Sequence, residues 1–463
     1  MKKLFLPITL LLSIAIHAQI ENKQLDPVTV TGSLQPHPLS RTGRNIVSVP
    51  GSYFNQLPVQ SVDELLRYLP GMEVQMRGPL GAQSDIVVRG GTFQQVLVLL
   101  DGVRINDPNT GHFNSYIPVV PSEIERIEIL KGASSGIYGA EAVGGVVHIL
   151  TKSFLAKRGT DKKEASLQLK AGEYNLAHGQ LGGYYQKKNT VVAGGVLTNN
   201  TKGQLQRGTR GFVNAHTANV SLTQFFGERL KLSVRGAYDN RDFSAQNFYT
   251  SFLSDTAKEQ VVSWWTQAQL EYNTSAHRLS LSAGYKHVTD DYRFNSAAIA
   301  NDNKSSMWQL TLMDEYHHNN STSFIGGVQT IRKMIRSNDR GDHQLQQTGL
   351  FLLMKQQFGE NFTVHPAIRM EYNEKSGVEW VPQLNLSYKK NQWQWRGSIG
   401  KTIREADFTE RFNNYNKAIA GNGSRMGNPE LQAERSLSYE IGADFFFENP
   451  FRVAFKVFQK NNL

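Results

Sequence analysis

The ten residues Leu230-Lys231-Leu232-Ser233-Val234-Arg235-Gly236-Ala237-Tyr238-Asp239 alternate in character. Successive side chains of an extended strand point to opposite faces, with a period of two. Leu230, Leu232, Val234, Gly236 and Tyr238 therefore share one face, and Lys231, Ser233, Arg235, Ala237 and Asp239 share the other. A strand that is apolar on one side needs an apolar medium on that side. The medium is either a second sheet, as in a soluble sandwich, or lipid, with the polar face lining a lumen.

Working outward, the same alternation returns at residues 278–286, 362–372 and 436–445. Three features favour lipid over a second sheet. The segments are long for sandwich strands but right for tilted membrane-spanning ones. Aromatics recur near their ends, as Tyr238, Trp264, Trp265, Trp308, Trp393 and Trp395, where interface girdles would lie. Short connections (Gly227-Glu228, Gly359-Glu360-Asn361) alternate with long polar ones near 239–260 and 403–435. The pattern predicts about fifteen strands, an odd number for a closed bacterial barrel. An open edge in lipid leaves N–H and C=O groups unpaired, so further strands are expected to complete the cylinder. A soluble secreted β-protein is the competing architecture. No later run reaches the ~18 apolar residues that suggest a membrane helix.

Upstream of the alternating region, residues 40–152 read as a compact α+β domain. Ser61 and Glu64 have capping-box spacing, Val62, Leu65, Leu66 and Leu69 form one apolar helical face, and Pro70-Gly71 ends the helix. Short strands follow at 86–88, 96–100, 124–130 and 146–150. Val96-Leu97-Val98-Leu99-Leu100 is apolar on both faces, which predicts a strand covered on both sides. Gly132, Gly136, Gly139, Gly144 and Gly145 fit neither a Walker loop nor a dinucleotide fingerprint, and read as tight turns and close packing.

The N-terminus reads as an address. Met1-Lys2-Lys3, an apolar run from Leu4 to Ile16, and Ala18 before Gln19 make a signal peptide over 1–18, so the chain is exported. A polar leader follows. Within it Leu25-Asp26-Pro27-Val28-Thr29-Val30-Thr31-Gly32 is β-prone and suited to capture as an added strand by a partner sheet; a plain linker is the other reading.

Bulk composition removes whole classes of function. The 463 residues include no cysteine, which excludes disulfides, thiolate metal sites and cysteine nucleophiles. The formal charge of +10 is spread in runs no longer than two, without recognition-helix or zinc-finger spacing, so no nucleic-acid partner is expected. No Gly-x-Ser-x-Gly elbow and no His-Glu-x-x-His occur; His112, His317, His318, His343 and His365 are scattered. No enzyme, catalytic residue, resident metal or cofactor is expected. Asp239, Asp242, Asp255, Asp290 and Asp291 are available to Ca²⁺ in extracellular loops, although no EF-hand spacing singles them out.

Four ordered motifs then carry a resemblance. They are Val87-Val88-Arg89-Gly90, Val98-Leu99-Leu100-Asp101-Gly102-Val103-Arg104, Ile124 to Gly132, and Ser135-Gly136-Ile137-Tyr138-Gly139 with Ala142 to Ile149 after it. This series resembles the plug of TonB-dependent outer-membrane receptors over nearly the whole plug. Gly427-Asn428-Pro429-Glu430-Leu431 with Glu434-Arg435-Ser436 is similar to a family motif of the later barrel, after which several strands normally follow. The resemblance implies an α+β plug domain inside a transmembrane antiparallel β-barrel, incomplete in this chain. The divisions are signal peptide 1–18, TonB box and linker 19–40, plug 41–155, and partial barrel 156–463. It makes Leu25, Asp26, Pro27, Val28, Thr29, Val30 and Thr31 the TonB box. Arg89 and Lys131 match the basic residues that pin plug to barrel, although position 131 is more often Arg in the family. Ligand would meet plug apical loops carrying Arg77, Gly78, Pro79, Leu80, Gly81, Gln83, Asn106, Asp107, Thr110, His112, Phe113 and Asn114. The implied function is active uptake across a Gram-negative outer membrane by a monomeric barrel in lipid, energised through TonB of an inner-membrane complex. Tyr238-Asp239-Asn240-Arg241 followed by Phe248-Tyr249 resembles the vitamin B12 branch, while siderophore receptors share every plug motif, so cobalamin and a ferric siderophore both stand as cargo. A passive porin or surface adhesin, the alternative function, would lack box and plug.

Overall fold

The computed structural model describes residues 28–32, 34, 36–415, 426–447 and 452–463. The expected signal peptide, and Leu25, Asp26 and Pro27 of the expected TonB box, lie outside the described residues.

Fifteen strands, from Lys162–Gly172 to Arg452–Asn462, form one antiparallel sheet in which each strand pairs with the next along the chain. They run from 11 residues at Lys162–Gly172 to 19 at Asn301–Asn319. Even the shortest spans ~36 Å at ~3.3 Å per residue, enough to cross an outward apolar band of ~25 Å at a tilt of ~35–45°. One end of the sheet carries only short turns among the described residues, such as 227–229, 274–276 and 359–361; the other carries the longest connections, 202–212, 245–257 and 405–433. In outer-membrane barrels the short-turn end faces the periplasm.

The expected sidedness holds. On the strand Leu230–Ser244, Arg235, Ala237, Asp239 and Arg241 are buried toward the lumen, while Val234 and Tyr238 face outward. Thr363, His365, Arg369 and Glu371 face inward in the same way. Outside, rings pair between strands: Tyr238 with Trp264 at 4.6 Å and Tyr285 with Trp308 at 4.1 Å. Trp265 departs from the girdle expectation. It alternates with its neighbour Trp264, so it must face the opposite side, and it is buried in the cluster that holds Val103 and Ile105 of the inner domain.

That inner domain, the plug, has a five-stranded sheet in the order Asn45–Pro50, Ile124–Lys131, Gly145–Thr151, Val96–Leu100, Val103–Arg104. Only the Val96–Leu100 and Gly145–Thr151 pair is parallel. Val96–Leu100 is buried throughout, as its double-faced apolar sequence predicts. A hairpin of Met72–Met76 and Ser84–Val88 adds a second small sheet. The helix is shorter than expected, Val62–Leu66. Beyond it Tyr68 and Leu69 donate to carbonyls three residues back, a tightened turn that delivers the chain to Pro70. The capping box does not form. Glu64 Oε2 accepts instead from the Gln60 amide at 2.7 Å, and no side-chain bond caps the helix at Ser61.

Plug and barrel meet through apolar clusters, such as Leu97 and Ile137 with Phe351 of the wall, and through polar groups. Arg235 of the wall lies 2.6 Å from Glu123 and 3.4 Å from Asp101 of the plug, all three buried. Lys333 reaches Glu141 at 2.6 Å, and Lys286 donates to the Ile105 carbonyl at 2.7 Å. Arg89, expected to pin plug to barrel, does pair with Glu440 of the wall at 2.8 Å. Lys131, expected to do the same, turns back to the Pro70 carbonyl inside the plug. The fully buried Arg44 beside it donates to the carbonyl of Lys131 at 3.2 Å and to the Ser134 hydroxyl at 3.0 Å, and occupies the ground between.

Removing one partner of a buried ion pair leaves an uncompensated charge, at a cost of ~3–5 kcal/mol. Arg235→Met is therefore expected to lower plug stability by about that amount, read as a drop in the plug's thermal transition in detergent. Adding Glu123→Gln to Arg235→Met should restore part of the loss; equal stability of wild type and single variant would contradict the bridge.

Candidate functional site

Two places on the plug carry chemistry, one toward each end of the barrel. At the long-loop end the turn after Met76 and the loop after Arg104 come together as expected. Arg77 Nη2 pairs with Asp85 at 3.1 Å, and its Nη1 donates to the Phe248 carbonyl of a barrel loop. His112 Nδ1 lies 2.7 Å from the other Asp85 oxygen. Its ring stacks on Phe93 at 4.1 Å and stands 5.7 Å from Tyr249, which the barrel loop 245–257 brings in. The Tyr249 hydroxyl donates to Glu259 Oε2 at 2.9 Å and lies 3.1 Å from Gln83 Oε1. The arrangement is a partly exposed aromatic and imidazole surface with a guanidinium at its edge, able to stack flat rings and bind oxygen acceptors.

Not every expected apical residue is on that surface. Arg77, Pro79 and His112 are at least partly exposed. Leu80 and Phe113 are buried in an apolar cluster with Tyr116 and Phe243. A Cβ at Gly81, whose φ is +74°, would meet the Arg241 guanidinium, and one at Gly78 would meet Ala82 and Phe248. Asn106 ties Val96 to Val98, Asp107 accepts from the Asn109 amide at 2.8 Å, Asn114 accepts from the Asp107 amide, and Thr110 accepts from the His112 amide. These residues build the loop. The short helix Phe408–Phe412 of the barrel loop 405–433 sits over them, with Thr409 donating to the Asn109 carbonyl at 2.7 Å. Asp85, Phe93 and Glu259 were not singled out by the sequence.

At the short-turn end the described part of the expected TonB box is held, not free. Val28–Thr29 pairs with His37–Pro38, and Thr29, Val30 and Thr31 are buried. Glu128 Oε2 accepts from the amides of Val30 and Thr31 at 2.9 and 2.8 Å and from the Thr31 hydroxyl at 2.6 Å. Tyr138 donates its hydroxyl to the Thr31 carbonyl at 2.9 Å, and His148 Nδ1 lies 3.0 Å from the Thr31 hydroxyl. With the Thr31 proton committed to Glu128, the imidazole must be the Nδ1–H tautomer. Arg126 Nε holds the second Glu128 oxygen at 2.8 Å. The expected exposed strand is thus a latched strap, because buried Glu128 and Tyr138 of the plug satisfy its backbone and His148 engages the Thr31 hydroxyl. Glu128 sits between Ile127 and Ile129 in a fully buried stretch, and a carboxylate there needs partners; that was the available signal.

Burial pushes the Glu128 carboxyl up, yet the neighbouring imidazole, the Thr31 hydroxyl and amide, and Arg126 outweigh it and hold it below the usual carboxylate range. Burial drives His148 down to about 4. At neutral pH the ring is therefore uncharged, and the Thr31 bonds and Arg126 keep Glu128 ionised.

The loop acids proposed for Ca²⁺ do not converge. Asp239 pairs with Arg241, Asp255 accepts from Asn247, Thr250 and Ala257 of its own loop, and Asp290 faces inward while Asp291 faces out. No group of three candidate metal-ligating side chains occurs among the described residues.

Residues 38–146 match the family described as TonB-dependent Receptor Plug Domain, and residues 173–462 match TonB dependent receptor-like, beta-barrel. Among solved structures, the siderophore receptor PirA from Acinetobacter baumannii superposes with a TM-score of 0.74 at 16% identity, over 90% of this chain and 70% of that one. The ferric yersiniabactin uptake receptor FyuA from Yersinia pestis gives 0.72 at 14%, over 91% and 72%. A ferric enterobactin receptor, PfeA, from Pseudomonas aeruginosa gives 0.73 at 14%, over 90% and 71%. At these identities the likeness is one of fold.

The latch sets a pH dependence. A hydrated His148 ring takes up a proton near pH 6.5, whereas under the strap it does so only near 4. The released state binds more protons between those values, so strap closure weakens as pH falls through that window, and Glu128 adds to the same trend at its acid end. The chain has no cysteine, so labelling at Thr29→Cys, divided by labelling at the exposed Val28→Cys to cancel thiol ionisation, should rise from pH 7 to pH 5. In His148→Gln the ratio should be flat; a flat ratio in the wild-type background would remove the latch.

Proposed function

Since the chain belongs to the TonB-dependent receptor family, we propose that it is an outer-membrane receptor of a Gram-negative cell that takes up a ferric siderophore, energised through TonB. One observation carries the reading. A single small domain has the recognition surface of Arg77, His112 and Phe93 at its long-loop end and the latched strap of Val30 and Thr31 at its short-turn end. Ligand on the outer surface and traction on the inner strap therefore act on one body.

In this scheme cargo docks on the aromatic and imidazole surface beneath the barrel loops. The strap leaves Glu128, Tyr138 and His148, and residues 25–31 pair as an added strand with the energising partner in the periplasm. Plug displacement then opens a path. The ferric siderophore assignment draws on the surface's ability to stack rings and bind oxygen acceptors, and on the siderophore receptors among its structural relatives. Cobalamin is the competing cargo from the sequence. A passive porin or an adhesin has no use for a plug that fills the lumen.

Deleting residues 25–31 should abolish ferric uptake by cells while surface binding of the same chelate persists; retained uptake would reject TonB coupling. In a binding screen of full-length protein against ferric catecholate, ferric hydroxamate, haem and cobalamin, a ferric chelate should bind tightest. His112→Ala with Tyr249→Ala should weaken that binding about tenfold or more, as loss of buried stacking surfaces does.

A further inference from the structure

Beneath the strap lies a cavity of about 540 Å³ between plug and barrel wall. Val28, Val30, Leu34 and Pro36 of the strap form one of its sides, and Leu34 packs on the cluster of Leu97, Leu99, Ile137 and Phe351. The opposite side is barrel wall, running from Lys231 and Arg278 near the short-turn end to Arg369 deeper in. The volume falls within the range of ordinary small-molecule sites, ~300–1,000 Å³.

The lining is cationic. Arg104, Arg126, Lys157, Lys231, Arg278 and Arg369 border it, against only two carboxylates, Asp101 and Glu271. Asp101 is already engaged by Thr151 and Arg235, and Glu271 by Lys231 and Arg278. The partners of Arg104, Arg126 and Arg369 (Glu141, Glu128 and Glu371) are not part of the lining but stand behind it. Two buried donors there are unsatisfied: Arg369 Nη1 and Arg278 Nε have no hydrogen-bond partner. Arg369 in particular is built in. Its guanidinium lies where a Cβ at Gly349 of the wall or at Gly139 of the plug would overlap it, and it stands over the Phe351 ring at 5.6 Å. Two glycines clear the space for one cation at the chamber's side.

We propose that this chamber is a transit site for an anionic, oxygen-rich solute, with Val28, Val30, Leu34 and Pro36 of the strap as its gate. The same latch that hides the strap from a partner then keeps the chamber covered, so releasing the strap and uncovering the exit are one event. Lys231, Arg278 and Arg369 form a graded cationic wall on which an anionic chelate is handed toward the short-turn end. The proposal rests on the uptake reading above, but its test uses no cargo.

The full-length chain has no native thiol, so Ser282→Cys on the lining is a single reporter. In outer-membrane vesicles it is challenged with a sulfonate-bearing and a quaternary-ammonium-bearing methanethiosulfonate of similar size. Losing the hydroxyl bonds in Thr31→Val, or the whole strap in a chain lacking residues 28–36, should raise the labelling rate roughly tenfold, the scale of one lost buried hydrogen bond. The anionic reagent should outpace the cationic one by about tenfold, the lower end of what a focused cationic cleft gives. Arg369→Gln should erase most of that preference, and so should Gly349→Ala, which displaces the guanidinium without removing it. Unchanged labelling in the strapless chain, or equal rates for the two reagents in the parent, would overturn the proposal. A failed screen with ferric chelates would sink the cargo assignment and leave these thiol results standing, so the two failures are told apart.

Discussion

In hydrocarbon a backbone amide can bond only to another backbone group, and the rest of this molecule follows from that constraint. The long sheet meets it, save along the outer sides of Lys162–Gly172 and Arg452–Asn462, by pairing each strand with the next of the sheet. Outward rows must then be apolar, so the polar residues of each strand have nowhere to go but inward. A wall that presents Arg235, Lys286, Lys333 and Arg369 to its lumen cannot be filled by oil. The plug answers with Asp101, Glu123 and Glu141 on its own surface, while Leu65, Val98 and Ile129 lie in its apolar core. Apolar contact crosses the boundary as well: Trp265 and Ala237 of the wall reach that core, Phe351 packs with Leu97 and Ile137, and Phe243 packs with Phe113.

A polar interface of this kind differs from an apolar one in how it comes apart. Each bond between plug and wall can be replaced by a bond to water, so the net change per bond is small once water enters, whereas exposed apolar surface has no such substitute. The contacts therefore fix orientation without welding the two bodies together. Arg89 with Glu440 and Glu123 with Arg235 are held in register by geometry, and the same groups remain well solvated if the plug shifts.

Much of this was legible in the sequence. Alternation in residues such as 230–239 gives strand, face and medium together, because a period of two with one apolar side has few solutions. The four plug motifs place the small domain, and Arg89 is found where the resemblance puts a locking residue. What was not legible depends on neighbours distant in sequence. Lys131 looks like Arg89 on paper, but Arg44 and the Pro70 carbonyl decide where its ammonium goes. Glu128 reads as one more charge in a strand until Thr31, almost a hundred residues earlier, is laid across it. Trp264 and Trp265 both looked like girdle residues, although parity alone requires one of them to face inward. The apical loop suffered the same limit: its polar residues signal a surface, but a barrel helix seated on Asn109 turns most of them into scaffold.

The position of Asn45–Pro50 at the margin of the five-stranded sheet has a mechanical meaning. It is the first strand of that sheet after the strap, so tension applied at the N-terminus arrives there before it reaches any other strand of the sheet. A marginal strand is held along one side only, and its bonds to Arg126–Lys131 can fail one after another from the Asn45 end, like a seam being unpicked. The inner strands, gripped on both flanks, would have to shear many bonds at once. Arg44, buried just ahead of that seam and tied to Lys131 and Ser134, is the knot at its start. The polypeptide is thus strong against jostling from any direction and weak along one line, the line on which a puller would draw.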